Sequence, residues 1–315
     1  MLIVPIGPAT WEMRLIGVPA ASPYLGSPAL AWWFVMNEIR EFLTSRRARI
    51  TPEQAGLRAY GGRRRVTGLR REEVAMLAGI SVEYYTQLER GNVKGVSEDV
   101  LEAVTRALQL DDIERTHLFD LTRAAKQLPT RQRAKPLQVR PAVQRVLDTI
   151  TDGAAFIRNP RADFLTGNVL AYALYADAFT TLERPVSLPR FVFLNPRART
   201  FYRKWEGLAS ATVGSLRAEA ARDPYDRDLT ELIGELSMRS DDFRRMWGTH
   251  DVTQYRSGIQ YFHHDLVGDL DLNYESFDLA GDIAQTLIVY TAEPGSPSQA
   301  ALDRLARGIR ERANT

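Results

Sequence analysis

The stretch GLRREEVAMLAGISVEYYTQLERGN, residues 68–92, constrains the fold more than any other part of the chain. Residues 71–78 place apolar side chains on one face at the three-and-four spacing of an amphipathic helix. Gly79 predicts the end of that helix, because glycine enters the left-handed conformation without steric cost. Ser81 is a favourable N-cap for a second helix over residues 82–90. Two short helices joined at a glycine are typical of a helix-turn-helix.

The second helix of this motif carries the residues expected to read DNA. The pattern predicts that Tyr85 and Leu88 are buried and that the opposite face enters the major groove. An Asn or Gln side chain can bond an adenine edge and an arginine can bond a guanine or a phosphate. Glu89 is expected instead to pair with an arginine of the first helix. The predicted base-reading residues are Ser81, Glu83, Tyr84, Thr86, Gln87 and Arg90.

Basic residues are concentrated beside this motif. Between Arg40 and Arg71 there are ten arginines and two acids, whereas residues 136–315 hold 21 basic against 24 acidic residues. Such a block attracts a polyanion, which makes double-stranded DNA the expected partner. The alternatives are a solvated charge run and a helical hairpin with a polar face. The predicted phosphate contacts are Arg63, Arg64, Arg65, Arg70 and Arg71.

The amino-acid composition and the spacing of apolar residues divide the chain into four parts. Residues 1–35 carry five prolines and one charge of each sign, which predicts a disordered extension, with Met36 as the native start. Residues 36–126 predict a helix-turn-helix domain of five helices. Residues 127–140 hold prolines among basic side chains and indicate a linker, and residues 141–310 form the second domain.

The second domain shows short strands, then helices, then adjacent strands. Leu270, Leu272 and Tyr274 alternate with polar residues, as expected for a sheet with one wet face. The pattern indicates an α+β domain with an antiparallel sheet. The predicted strands cover residues 154–157, 164–165, 252–256, 259–263, 268–277 and 286–291, and a helix begins near Asn168 and others lie within residues 197–249.

The motifs TGLRREEVAMLAGISVEYYTQLERG, FLNPRAR, ELSMRSDDFRRMWGTHDV, RSGIQYFHHDLVGDLDLNYESF and VYTAEPGSPS lie between about Met36 and Leu305. Together they make the chain similar to the MmyB-like regulators, in which a Xre/Cro-type helix-turn-helix precedes a PAS-like sensory domain. The resemblance implies an all-α helix-turn-helix domain followed by an α+β PAS-like domain with an antiparallel sheet. It further implies a bacterial transcriptional regulator with a small ligand, and a fatty acid is suggested for a relative.

Residues around WGTHDV are candidates for ligand binding. His250 and Arg256 can hold a ligand carboxylate near the junction of helix and sheet, above an apolar tunnel. The alternative is that His250 and Asp251 form a junction that orients the next strand. Aromatic residues are core by default, and the candidate ligand set adds Trp205 and Tyr172.

Other chemistry finds little support in the sequence. His263 and His264 are adjacent strand residues that point to opposite faces, so no metal site is expected. There is no G-x-S-x-G, Walker A or paired-histidine motif, which argues against an enzyme. The apolar run over residues 29–36 is too short to span a bilayer, and the lack of cysteine fits a reducing cytoplasm.

The sequence thus predicts a DNA-binding transcriptional regulator, acting as a homodimer, whose second domain senses a small ligand. No cofactor is expected beyond a bound fatty acid or other small apolar ligand. The alternative is a helix-turn-helix protein whose second domain serves dimerisation or protein partner binding.

Overall fold

The structure is a computed structural model, and it describes residues 28–57, 66, 68–126, 138–181, 185–252, 256–280 and 285–313. In this part of the chain a helical domain precedes a domain built on one antiparallel sheet. The predicted succession of an all-α domain and an α+β domain is confirmed.

Among the described residues, the helical domain packs five helices around one core. The first helix of the predicted motif ends at Gly79, whose φ of 66° is the left-handed conformation that favours glycine. Ser81 caps the second by accepting a hydrogen bond from the Tyr84 amide at 3.0 Å. Tyr85 and Leu88 are fully buried, as predicted. The helices are α1 (Pro28–Arg49), α2 (Arg71–Ala78), α3 (Val82–Glu89), α4 (Glu98–Ala107) and α5 (Asp112–Lys126).

Helix α1 begins earlier than the composition predicts. The predicted extension reaches residue 35, but the helix already starts at Pro28. Val35 is 1% exposed and packs in the same core as Ile39 and Phe42. Val35 therefore continues the buried face of α1, and the helical backbone of residues 28–35 differs from the predicted extension. Residues 1–27 lie outside the described residues.

A buried carboxylate joins three helices of this domain. Glu89, at the end of α3, accepts hydrogen bonds from Arg47 of α1 at 2.9 Å and from Arg71 of α2 at 2.8 Å. Arg47 also donates to the Leu69 carbonyl at 2.9 Å, which holds the start of α2 against α1. Burial alone would raise the pKa of Glu89, but the hydrogen bonds from both arginines outweigh it and lower that pKa. The predicted structural role of Glu89 is confirmed.

The second domain surrounds its sheet with helices. The strand order is β3-β2-β1-β6-β5-β4, and every neighbouring pair is antiparallel. The strands are β1 (Ala154–Arg158), β2 (Asp163–Gly167), β3 (Val186–Ser187), β4 (Ser257–His264), β5 (Gly268–Asp278) and β6 (Thr286–Thr291). The helices are α6 (Pro141–Thr149), α7 (Val169–Leu174), α8 (Ala176–Thr181), α9 (Leu188–Leu194), α10 (Ala198–Phe201), α11 (Trp205–Arg222), α12 (Arg227–Arg239), α13 (Asp241–Trp247) and α14 (Pro297–Ala313).

The two faces of the sheet meet different helices. On one face, Phe156 of β1, Leu270 of β5 and Tyr290 of β6 belong to the largest core, with residues of α7, α9, α11 and α14. On the other face, Ala155 and Ile157 of β1 pack against α6. Along β5 buried residues alternate with exposed ones, which confirms a wet face at that end of the sheet.

The described part of this domain differs from the predicted pattern at several points, which include the unpredicted α6, β3 and α14. Val252 and Arg256, the ends of a predicted strand, lie outside the strands, and β4 begins at Ser257. Val252 packs instead against the core of the helical domain, which prevents it from pairing with the sheet. Helix α9 is unpredicted because its sequence, LPRFVFL, is almost wholly apolar and shows no helical period.

We expect Glu89→Gln to lower the free energy of unfolding by about 3 kcal/mol, because Arg47 and Arg71 lose their buried counter-charge. Urea unfolding at pH 7 measures the change. Glu231→Gln is the matched control, since it removes an exposed pair with Arg227. We expect that control to change stability by less than about 0.5 kcal/mol.

The pH dependence of the same variant gives a second readout. The pKa of Glu89 is lower in the folded protein than its ordinary value of 4.5. The ionised carboxylate therefore contributes to the free energy of unfolding above pH 4.5, and this contribution is lost as the pH falls below that value. The stability difference between wild type and Glu89→Gln should therefore narrow as the pH falls below 4.5. A difference that stays constant in acid would contradict this role.

Candidate functional site

Helix α3 presents the predicted base-reading side chains on one surface, opposite the buried Tyr85 and Leu88. The Ser81 hydroxyl already accepts the capping hydrogen bond of α3, which restricts how it can meet a base. Contact of this surface with DNA bases stays a prediction. The exposed residues are Ser81, Glu83, Tyr84, Gln87 and Arg90, and Thr86 is partly exposed.

The predicted phosphate-binding arginines fall into two groups. Arg63, Arg64 and Arg65 lie outside the described residues. Arg70 precedes α2, and its side chain is 43% exposed and 3.2 Å from the Glu72 carboxylate. Arg71 is half exposed, but its guanidinium donates to Glu89 and is thereby tied to α3. Of the described pair, Arg70 is therefore the better placed for a phosphate.

Two exposed apolar side chains of the helix-turn-helix were not among the predicted DNA contacts. Met76 of α2 is 62% exposed and Val82 at the start of α3 is 40% exposed. Apolar side chains in a major groove contact thymine methyl groups. Both residues lie off the buried face that the helical period predicts, so the sequence alone could have identified them as exposed apolar side chains.

The second domain holds a cavity of about 620 Å³ between the sheet and α11. This volume lies within the range of small-molecule sites, about 300 to 1,000 Å³. Its apolar wall includes Phe156, Tyr175, Val192, Leu208, Ile288 and Tyr290. Its polar wall includes Arg158, Glu219, Arg222, Arg256, Asp278 and Gln285.

Two polar side chains of this wall have distinctive surroundings. Burial raises the pKa of Glu219, an effect that Arg222 at 3.1 Å opposes and nearby carboxylates reinforce. Gln285 is 4% exposed and donates through Nε2 to the Gln138 carbonyl at 3.3 Å. Its Oε1 has no hydrogen-bond partner within the part of the chain that the structure describes. A buried acceptor in a cavity wall favours a ligand or water that brings a donor.

The structure does not bring the four predicted ligand residues together. Arg256 lines the cavity. Tyr172 lines a separate hollow of about 870 Å³, where its ring packs against Phe164 and Phe179. Trp205 is buried in the core, and its indole N–H donates to the Val192 carbonyl at 2.9 Å. Their contact with a ligand stays a prediction.

His250, the fourth predicted ligand residue, lies at the junction of the two domains. Its carbonyl accepts a hydrogen bond from Arg46 of α1 at 2.8 Å. The neighbouring Asp251 pairs with Arg49, also of α1. These contacts join the segment to the helical domain, a role that neither interpretation of the WGTHDV segment predicted.

Helix α11 supplies wall residues that the sequence analysis missed. Ala211, Ser215 and Ala218 line the cavity at three-and-four spacing along one face of the helix. A stripe of small residues on a long helix is the signal that could have marked this wall.

The histidine pair of β4 does not form a joint site. His263 is exposed, with Nδ1 2.6 Å from the Asp269 carboxylate. His264 is buried, and its Nε2 lies 3.1 Å from the Ala173 carbonyl. The two rings point to opposite faces, as their adjacency predicts. Over the described ranges, no cluster of three or more histidine, aspartate or glutamate side chains could hold a metal ion.

A helix-turn-helix joined to a domain with an internal cavity defines a class, that of DNA-binding regulators with a ligand-binding domain. Comparison with protein families agrees: residues 43–118 match a helix-turn-helix domain family. Residues 139–305 match the family described as the MmyB-like transcription regulator ligand binding domain. That match covers more than half of the chain, so the chain belongs to the MmyB-like transcription regulators. Neither family is one of enzymes.

A search among curated proteins finds no match for the chain. None of the helices in the described residues combines the length and the apolar character needed to cross a bilayer.

We expect alanine at Gln87 or Arg90 to relax base preference at the contacted position, at a cost of about 1 to 3 kcal/mol. Arg70→Ala should instead weaken binding to all sequences and reduce the salt slope by about one. Selection from a random duplex pool and titration at several salt concentrations measure both effects.

The control for these variants is Arg239→Ala, which removes an exposed arginine of the second domain that pairs with Glu235. It should change neither the selected sequence nor the salt slope. If Arg70→Ala altered the selected sequence while leaving the salt slope intact, the assigned division between base and phosphate contacts would be wrong.

Proposed function

We propose that the protein is a ligand-responsive transcriptional regulator that senses an amphipathic acid, such as a fatty acid, in the cavity beside α11. The observation that carries the proposal is the composition of the cavity wall. Aromatic and aliphatic side chains share it with the guanidinium groups of Arg158, Arg222 and Arg256.

The apolar lining residues of the cavity suit the acyl chain of such a ligand, and the polar lining residues suit its carboxylate. An acyl chain removes apolar surface from water when it packs against Phe156, Ile288 and Tyr290. A carboxylate forms charge-assisted, often paired hydrogen bonds with a guanidinium. The buried acceptor of Gln285 can take a hydrogen bond from a ligand hydroxyl or from a bridging water. A plain hydrocarbon would form none of these hydrogen bonds.

DNA recognition completes the proposal. A single short helix such as α3 reads only a few base pairs, so a homodimer reading two half-sites about one helical turn apart gives the specificity that a regulator needs. The ligand would bias the spacing of the two recognition helices, and only to the extent that it binds one arrangement better than the other.

Native mass spectrometry of the protein purified from a bacterial host, followed by denaturing release, tests the ligand. Release of a fatty acid at near-unit occupancy supports the proposal. A protein that stays empty after incubation with acyl chains of several lengths would assign the second domain to dimerisation or partner binding instead.

We expect Arg256→Met to reduce affinity for dodecanoate about tenfold or more while changing affinity for 1-dodecanol little, because one charge-assisted hydrogen bond contributes about 1.5 to 3 kcal/mol. Calorimetric titration of both probes measures the preference for acid over alcohol. Arg239→Met is the control, since that arginine is exposed and pairs with Glu235. Equal affinity of the wild type for acid and alcohol would contradict an arginine-bound carboxylate.

A further inference from the structure

Helix α11 separates the cavity from the helical domain. Ala211, Ser215 and Arg222 line the cavity. Successive helical residues turn by about 100°, which places Arg217 and Ala221 on the other side of the helix. Ala221 is 1% exposed and belongs to the core of the helical domain. One helix therefore forms a wall of the cavity and part of the domain interface.

A buried ion pair joins α11 to α1. The guanidinium of Arg217 donates to the carboxylate of Glu38, and their side chains are 1% and 6% exposed. The same guanidinium donates to the Trp247 carbonyl, lies 3.1 Å from His250 Nδ1 and stacks 4.2 Å from the Trp247 ring centre. Burial acts to raise the pKa of Glu38, but His250 and Arg217 outweigh it and lower that pKa. Glu38 therefore stays ionised in the interface.

His250 and Asp251, which follow α13, are held by the same interface. Arg46 of α1 donates to the His250 carbonyl at 2.8 Å, and Arg49 pairs with Asp251. His250 has a φ of 55°, a left-handed conformation that residues other than glycine seldom adopt. Contacts from α1 and α11 thus maintain a strained turn in the second domain.

Helix α1 also contacts α3, the predicted recognition helix. Thr44 and Arg47 donate to Glu89 at the end of α3, at 3.3 and 2.9 Å. After α3, Gly91 lies so close to α1 that an added Cβ would be 2.6 Å from the Met36 carbonyl oxygen. In the sequence of α1, Glu38 lies between these two contacts. A displacement of Glu38 is therefore a displacement of the surface that supports α3.

We propose that α11 and α1, joined by the Arg217–Glu38 pair, form the element that couples the cavity to the DNA-binding surface. A ligand that shifts α11 moves Arg217, and Glu38 follows because separating two charges in a dry interface is far less favourable than moving them together. That a ligand shifts α11 rests on the ligand site proposed above. That α11 and α1 are connected rests on the observed contacts between them.

Coupling between two sites is reciprocal, which allows a test without a ligand. DNA bound at α3 should alter the stability of α11, more than 100 residues away in the sequence. Hydrogen exchange of the full-length protein, with and without a duplex that it selects from a random pool, measures this. We expect DNA to change the exchange rates of α11 amides at least fivefold.

Glu38→Gln is the first test variant, since it keeps the side-chain shape and removes the charge. We expect it to retain the effect of DNA on α3 amides and to lose most of the effect on α11. Arg217→Lys is the second, because it keeps the positive charge and loses the guanidinium fork. Glu231→Gln, in an exposed pair, is the matched control and should respond as wild type does. Wild-type behaviour of α11 in both interface variants, or no response of α11 in wild type, would overturn the proposal.

Dodecanoate provides the forward test. In wild type we expect it to change DNA affinity by about 5- to 150-fold, the usual range of allosteric coupling. In Glu38→Gln the change should fall to within about twofold, while dodecanoate itself still binds. An undiminished change in both interface variants would overturn the coupling element. Failure of dodecanoate to bind wild type would count against the ligand proposal alone, and the exchange experiment would still decide the coupling.

Discussion

The coupling proposed between the two domains depends on the buried ion pair of Arg217 and Glu38. Both groups are almost wholly buried, and each would carry an uncompensated charge without the other. The neighbouring His117 adds no further charge to this pair. His117 of α5 packs edge-on against Phe42, and burial lowers its pKa to about 3, so it stays neutral and brings no second cation. Because apolar contacts of similar volume often stabilise as well as a buried ion pair does, we infer that this pair contributes mainly to a defined arrangement of the domains.

The cavity depends on the same arrangement because α11 is one of its walls. The opposite wall comes from the sheet, with Arg158 at the end of β1 and Ile288 and Tyr290 on β6. These strands are anchored by the large aromatic core beneath them, whereas α11 is also bound to the helical domain through Arg217 and Ala221. The cavity therefore lies between a firmly held sheet and a helix whose outer contacts belong to the helical domain.

Features that depend on residues close together in the sequence could be predicted from it. Gly79, Ser81 and the buried role of Glu89 follow from propensity, capping and the period of a short helix. Long-range relations could not be predicted in this way. Glu38 and Arg217 are 179 positions apart, and nothing in either neighbourhood marks them as partners. Arg256 was predicted from one motif, but the cavity that it lines is assembled from strands and helices far apart in the sequence, and Trp205 became core instead.

The position of α11 also limits which ligands can act. In the proposed coupling α11 has two positions, and a compound that touches only the sheet, for instance at Phe156 and Ile288, would bind both equally and shift no equilibrium, however tightly it bound. A compound that also contacts Ser215 or Glu219, which line the cavity from α11, would distinguish the two positions. The proposed coupling therefore separates the affinity of a ligand from its regulatory effect: contacts with the sheet would supply much of the affinity, and contacts with α11 would supply the effect.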